Sequence, residues 1–308
     1  MRGRRILILG LPYFGQMLAT ELATRGWAAR FAPHPGRSPW GWGRLAAAVA
    51  RADVLYLIGS RAERWSPQDI LFRMVRKPVV IHWVGTDALI ASEAHTRGRL
   101  AASVVRKPVH WCDAPWLVDE LEAMGVWAEF VSLPVVGLAA EAPPLPERFR
   151  VLIYLPVDSF DREVFDVETL LRLPAEFPEV EFVLIPSSAE TLPGPLPPNL
   201  EARGWVTDMD ALYREITVYV RLTSHDGMPF MVLEALSRGR HVIYTYPLPG
   251  VTHAADYDAV CGALRDLRDR HDRGELALNS EGMAWAREHF EPGQVLAGID
   301  ARLKKLVG

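Results

Sequence analysis

Cysteine is nearly missing from this chain of 308 residues, which has only Cys112 and Cys261. They are far apart, show no metal-ligand spacing and form no disulfide framework, as expected for a reducing compartment. Long apolar runs are missing too. No stretch approaches the roughly 20 residues that a membrane span needs. The N-terminal arginines precede only a short apolar run at 6–9, too brief for a secretory signal, and no small-residue cleavage site follows. Short-period repeats and low-complexity tracts are also lacking. A cytoplasmic location is expected, with no nucleic-acid partner.

What is present suits two α/β domains. Apolar residues make up 49% of the chain and charged residues 23%, enough for two cores and too apolar for disorder. Net charge is -4, unevenly divided. Residues 1–140 carry 17 Lys and Arg against 11 Asp and Glu, a balance of +6; residues 141–308 carry 17 against 27, a balance of -10. A basic first half favours an anionic or lipid-linked partner, and uneven solvated surface explains it equally well.

Apolar runs at 6–10, 54–59, 78–83 and 109–112 read as buried parallel strands. Helical spacing appears at 15–25 and 115–124. Three prolines within 141–146 break the pattern. A second series follows, with strands at 151–155, 180–185, 217–222 and 241–246. Its helices are expected at 164–171, in a short piece ending at Tyr213, and at 230–238. A proline-rich loop spans 193–199, and residues 281–306 read as mostly helical. Strands alternating with helices imply βαβ units and mostly parallel sheets, with a ligand cleft between two domains.

The stretch Arg221 to Gly239 carries the chemistry. A strand runs through a polar loop, His225-Asp226-Gly227-Met228-Pro229, into a helix ending at Gly239. Gly227 allows a tight turn or close approach, and Pro229 suits the first helical position. A helix that starts at the carboxyl end of a parallel strand directs free N–H groups and a positive dipole end at a ligand, as a diphosphate requires. Asp226 and Glu234, eight positions apart, can accept hydrogen bonds from sugar and ribose hydroxyls.

This segment resembles the C-terminal signature of the retaining, family-four glycosyltransferases and their GT-B relatives: an acid-Gly-x-Pro turn, then Leu-Glu-Ala on a helix. Arg203-Gly204-Trp205-Val206 with Leu212-Tyr213 extends the likeness, which is good over 150–245 and loose in the first half. The resemblance implies a GT-B fold of two Rossmann-like domains facing a cleft. The first would be an acceptor domain at 1–140, followed by a linker at 141–148 and a nucleotide-sugar domain at 149–280. The closing helix at 281–308, with Trp285 and Phe290, would pack back on the first domain. It implies Asp226 beside the donor sugar, where the family usually has Glu, and Glu234 on the ribose, with Gly227, Met228 and Pro229 framing the donor. Gly10 and Gly15 match the N-terminal glycine loop. His82, in His82-Trp83-Val84-Gly85-Thr86-Asp87, matches a histidine near the donor sugar, and a satisfied core histidine is the alternative.

The sequence departs from the family at a basic pair that grips the diphosphate after the first strand of the second domain. Here 154–162 lacks the first cation. Arg162 is the candidate for the second, and Arg221 a source of charge on the next strand. No cofactor or metal is expected: the donor, a nucleoside diphosphate sugar, is a substrate, and Asp208-Met209-Asp210 reads better as a helix N-cap than as a metal motif. The apolar and basic stretch 70–77 suits either a buried helix or the inner face of an anionic membrane. The implied activity is sugar transfer with retention to a glycan, lipid-linked or small-molecule acceptor. Alternatives are a non-catalytic homologue, a partner subunit of an active transferase and, more weakly, an epimerase.

Overall fold

The computed structural model describes residues 3–158, 162–192 and 194–308. Ser159, Phe160 and Asp161 of the departing stretch, and Pro193 of the proline-rich loop, lie outside the described residues. The chain forms two compact units. One comprises Met1–Pro134, Asp226–Met228 and Pro292–Gly308; the other comprises Val135–His225 and Pro229–Glu291.

In the first unit, β1 (Arg5–Gly10), β2 (Ala28–Phe31), β3 (Val54–Ile58), β4 (Val79–Trp83), β5 (Val109–Cys112) and β6 (Ala128–Phe130) form one sheet. Its order is β2-β1-β3-β4-β5-β6, and every pairing is parallel. All five residues of β3 and all five of β4 are buried, because helices cover both faces of a parallel sheet. Those helices are α1 (Pro12–Thr24), α2 (Pro39–Arg51), α3 (Pro67–Met74), α4 (Thr86–Thr96), α5 (Ala102–Arg106) and α6 (Trp116–Ala123). Strand order reverses between β1 and β3, so the ends of these two strands flank the switch point of this sheet.

In the second unit, β7 (Arg150–Leu155), β8 (Glu181–Pro186), β9 (Leu200–Ala202), β10 (Val218–Arg221), β11 (His241–Tyr244) and β12 (Val251–His253) are arranged β12-β11-β10-β7-β8-β9. All five pairings are parallel. Numbered from β7, this is the dinucleotide-fold order 3-2-1-4-5-6, with its switch point between β7 and β10. Its helices are α7 (Val167–Glu176), α8 (Met209–Glu215), α9 (Phe230–Ser237), α10 (Tyr257–Asp272) and α11 (Ser280–Phe290). Pro292 ends that last run, and α12 (Pro292–Leu306) belongs to the first unit. There Asp300 accepts from Trp27 Nε1 at 2.7 Å.

Several sequence expectations shift. The helix expected at 164–171 starts at Val167, because Asp166 caps it by accepting from Thr169 N. Val164 and Phe165 instead meet the chain after β10: Ser224 N donates to Val164 O at 2.7 Å and Phe165 bridges Thr223. The helix expected at 281–306 is two helices, since Pro292 cannot continue the hydrogen-bond ladder. The edge strands β2, β6, β9 and β12 were invisible because they are short and carry no apolar run. The proline stretch is not a free connector. Arg240 donates to Pro143 O and Pro144 O at 2.9 Å each, and Ala139 N to Ser237 Oγ at 3.1 Å.

Candidate functional site

Two glycines meet face to face in the first unit. Gly85, just after β4, has φ +107°, and a Cβ there would lie 2.4 Å from Gly227 N. A Cβ on Gly227 would stand 2.4 Å from Val84 O and 2.9 Å from Asp113 Oδ1. No larger residue fits either place without moving backbone. Met228 N donates to Asp113 Oδ1 at 3.3 Å, and Trp116 Nε1 donates to Asp226 O at 2.7 Å. The turn before α9 is therefore held against protein on one side, with Gly227 and Met228 buried, where the sequence suggested an open tip. Pro229 is the N-cap of α9 rather than its first helical residue, with φ -76° and ψ 117°.

Asp113 is the residue that sequence reasoning missed. It follows β5, only 3% exposed, and an acid at the carboxyl end of a buried parallel strand was the available signal. Burial raises its carboxyl well above the usual range; the Met228 N–H opposes this, and the charges of Asp87 and Asp226 add to it. Asp87 accepts from Val84 N at 2.9 Å and Ser60 N at 3.2 Å. Burial outweighs these bonds and pushes it up to about 6.

His82 sits at the end of β4 with no exposed surface. Its Nδ1 is 2.6 Å from Tyr56 Oη, and burial pushes it down to about 3. It is a neutral core histidine here, since a ring without surface cannot touch a ligand. Gly10 and Gly15 also serve packing. With φ +105°, a Cβ on Gly10 would fall 1.9 Å from Ile58 O, and one on Gly15 would fall 2.4 Å from the Phe31 ring. The first lets β1 leave the sheet beside β3, and the second seats α1 on β2.

In the second unit, Arg221 and Glu234 occupy the strand and helix that border the switch point. The Arg221 guanidinium lies 4.9 Å from the Phe165 ring centre and 5.4 Å from that of Tyr154. Glu234 is half-buried, and its Oε2 accepts from Tyr213 Oη at 3.0 Å. Burial raises its carboxyl, and the Tyr213 bond opposes this. Gly137 lies so close that a Cβ would sit 2.2 Å from Glu234 Oε1. Arg162 makes three hydrogen bonds: Nε donates to Pro156 O at 2.5 Å, Nη1 to Thr191 O at 3.1 Å and Nη2 to Ser187 Oγ at 2.8 Å. It fastens the chain after β7 to the chain after β8, with two carbonyls and one hydroxyl as its acceptors. Asp208 caps α8 by accepting from Ala211 N at 2.9 Å, and Asp210 pairs with Arg238. Among the described residues, no group of three His, Cys, Asp or Glu side chains is placed to hold a metal. None of the described helices is long and apolar enough to cross a membrane.

A sucrose-phosphate synthase from Thermosynechococcus elongatus superposes with TM-score 0.75 at 12% identity, covering 98% of this chain and 99% of its own. The fold is GT-B. A second GT-B neighbour is the lipopolysaccharide outer core galactosyltransferase WaaB, at TM-score 0.63 and 14% identity, covering 98% and 100%. The pneumococcal O-GlcNAc transferase GtfA, solved with UDP and GlcNAc, follows at TM-score 0.55 and 11% identity, covering 82% of this chain and 57% of its own. No family model matches the sequence, and no curated protein matches it. The GT-B likeness is thus carried by backbone architecture alone.

Proposed function

We propose that the chain is a glycosyltransferase that moves a sugar from a nucleoside diphosphate sugar to an acceptor. One observation carries this reading: Asp226 and Glu234, spaced as in the family signature, follow the strand at the switch point of a 3-2-1-4-5-6 sheet in a GT-B chain. Ligands of such sheets bind beyond the strand ends at that point. In this reading Glu234 receives the ribose hydroxyls, and Tyr213 orients its carboxylate. Asp226 faces the donor sugar, and the first turn of α9 lies toward the diphosphate. Arg221 supplies positive charge.

The resemblance further supports retention. The acceptor oxygen bonds to the anomeric carbon on the face that the leaving diphosphate vacates. The bond to the phosphate oxygen breaks, and that oxygen takes the acceptor's proton. Positioning and charge stabilisation then do most of the catalysis. The exposed Ile70 and Met74, beside Arg73 and Arg76, support contact with the inner face of an anionic membrane. Salt-sensitive co-sedimentation with anionic vesicles checks that part.

The experiment is a panel of UDP- and GDP-sugars, read by turnover with and without chelator and by the anomeric configuration of the product. Turnover that Glu234→Ala lowers by about 100-fold or more supports the reading. If no donor is bound or hydrolysed, it fails. A second reading, a nucleotide-sugar binding homologue or partner subunit without turnover, is favoured by the Arg162 contacts, in which Pro156 O, Thr191 O and Ser187 Oγ take three of that cation's donors. Calorimetric binding of a nucleoside diphosphate with no turnover would select it.

A further inference from the structure

Helix α2 carries a core-facing stripe with nothing packed beneath it. Trp42, Leu45, Ala46, Val49 and Ala50 recur at helical spacing, the pattern of a helix seated on a sheet. Yet none of the thirteen residues of α2 is buried. Under that stripe is a half-open groove of about 720 Å³. Leu9 and Leu57 of the sheet form its floor, and Ile70, Leu71 and Met74 of α3 its far wall. This volume is in the range of ligand pockets.

The groove is long. It runs from Gly10 and Gly59, at the carboxyl ends of β1 and β3, to Ala50 and Lys77 at the other end of the helices. The nine residues of α2 from Trp42 to Ala50 span about 13 Å. Its walls are mostly aliphatic, with the Trp42 indole, and the polar side chains on the lining are His34, Gln68 on the first turn of α3, Arg76 and Lys77. Lys77 is consumed at the end of α2, donating to the carbonyls of Val49, Ala50 and Ala52.

We propose that this groove holds a single aliphatic chain threaded between α2, α3 and the sheet. That the chain is the apolar part of the sugar acceptor rests on the transfer reading above; that the groove binds such a chain does not. The end at Gly10 and Gly59 lies at the switch point of the first sheet, where an open α/β sheet places its ligands.

The test is fluorescence titration of the full chain with dansyl-undecanoic acid, followed by displacement. Saturable binding with a blue-shifted emission is expected, displaced by hexadecanol and not by naphthol. Val49→Phe and Ala46→Trp, which fill the space, weaken the probe by about tenfold or more while leaving thermal stability unchanged or higher. Absence of saturable binding, indifference to both substitutions, or displacement by naphthol as effective as by hexadecanol overturns the proposal. Nucleotide thermal shifts on the same proteins separate the two readings. Nucleotide binding without probe binding sinks the aliphatic site alone; probe binding without nucleotide binding or turnover sinks the transfer reading and leaves this site standing.

Discussion

The two sheets have the same number of strands and the same parallel sense, yet one helix-covered face is solid and another is hollow. In the second unit, Val151, Ile153 and Phe182 of the sheet pack against Leu170 and Leu173 of α7 and Val260 and Leu264 of α10 in one buried cluster. In the first unit the face beneath α2 and α3 leaves the half-open groove described above. Both faces are apolar, so hydrophobicity alone does not say whether a face closes on itself. What differs is the covering helix: α10 brings branched residues onto its sheet, whereas α2 brings Ala46 and Ala50 alongside Leu45 and Val49. A packed face serves stability, and an unfilled one leaves room for a guest.

The largest effect that can break this comparison is a truncation on each face. Phe182→Ala is expected to cost about 3–5 kcal/mol in urea unfolding, and Leu45→Ala, whose side chain already borders open space, about 1 kcal/mol or less. Equal losses would mean that α2 seats itself on the sheet in solution and the hollow face does not exist.

A second contrast sharpens the role of the turn before α9. Gly85→Ala, with positive φ and backbone 2.4 Å away, is expected to cost about 3 kcal/mol or more. Gly98→Ala, with φ +64° and nothing within 4 Å, should cost about 1 kcal/mol. Similar melting temperatures for the two variants would contradict the close approach of Gly85 to Gly227.

The third contrast is electrostatic, and its sign reverses within the first unit. Burial alone would raise Asp69, but Arg73, Ser103 and the Trp65 N–H outweigh it and hold the carboxyl at about 2. A depressed pKa contributes stability that is complete above the unfolded value near 3.9 and lost as pH falls through about 2. Asp69→Asn should therefore cost about 2 kcal/mol near neutrality and remove that acid limb. Asp113 and Asp87 are raised, so their contribution is complete below the unfolded value and lost as pH rises through the folded one. Asp113→Asn keeps an acceptor for Met228 N and should raise stability at pH 7 by about 1–2 kcal/mol. It should also flatten the decline above pH 4. Urea unfolding across pH reads both; a destabilised Asp113→Asn would show that the carboxyl is held charged by something other than these neighbours.

The smallest effect expected is on the outer face of α2. Trp40 is 87% exposed, so Trp40→Ala should change stability by no more than about 0.5 kcal/mol. A larger loss would place that ring in a contact of its own.

Much of the architecture was legible because parallel strands buried on both faces are near-continuous apolar runs: β1, β3, β4, β7, β8 and β10 announce themselves. The edge strands and α2 did not, since alanine, glycine and polar residues carry little periodic signal. At the candidate site the legible part was chemical type and spacing: Asp226, Gly227 and Glu234 stand on the loop and helix expected of them. Sequence could not show that His82 lies inside the core, that Arg162 bonds the chain after β8, or that Gly10 and Gly15 answer to Ile58 and Phe31. Each of those outcomes depends on which distant segment arrives beside the residue.

By itself, then, the order of residues determined the alternation of strands and helices, the punctuation by proline and glycine, and the eight-residue spacing of two acids, because these are set by local backbone preferences and by the periodicity of burial. Only the tertiary structure decided that Asp113 joins the turn at Met228, that Gly85 and Gly227 must both lack side chains, and that the face under α2 stays open. Those facts arise where segments far apart in the chain are brought within a few ångströms, where steric exclusion and desolvation act between residues that no local pattern connects.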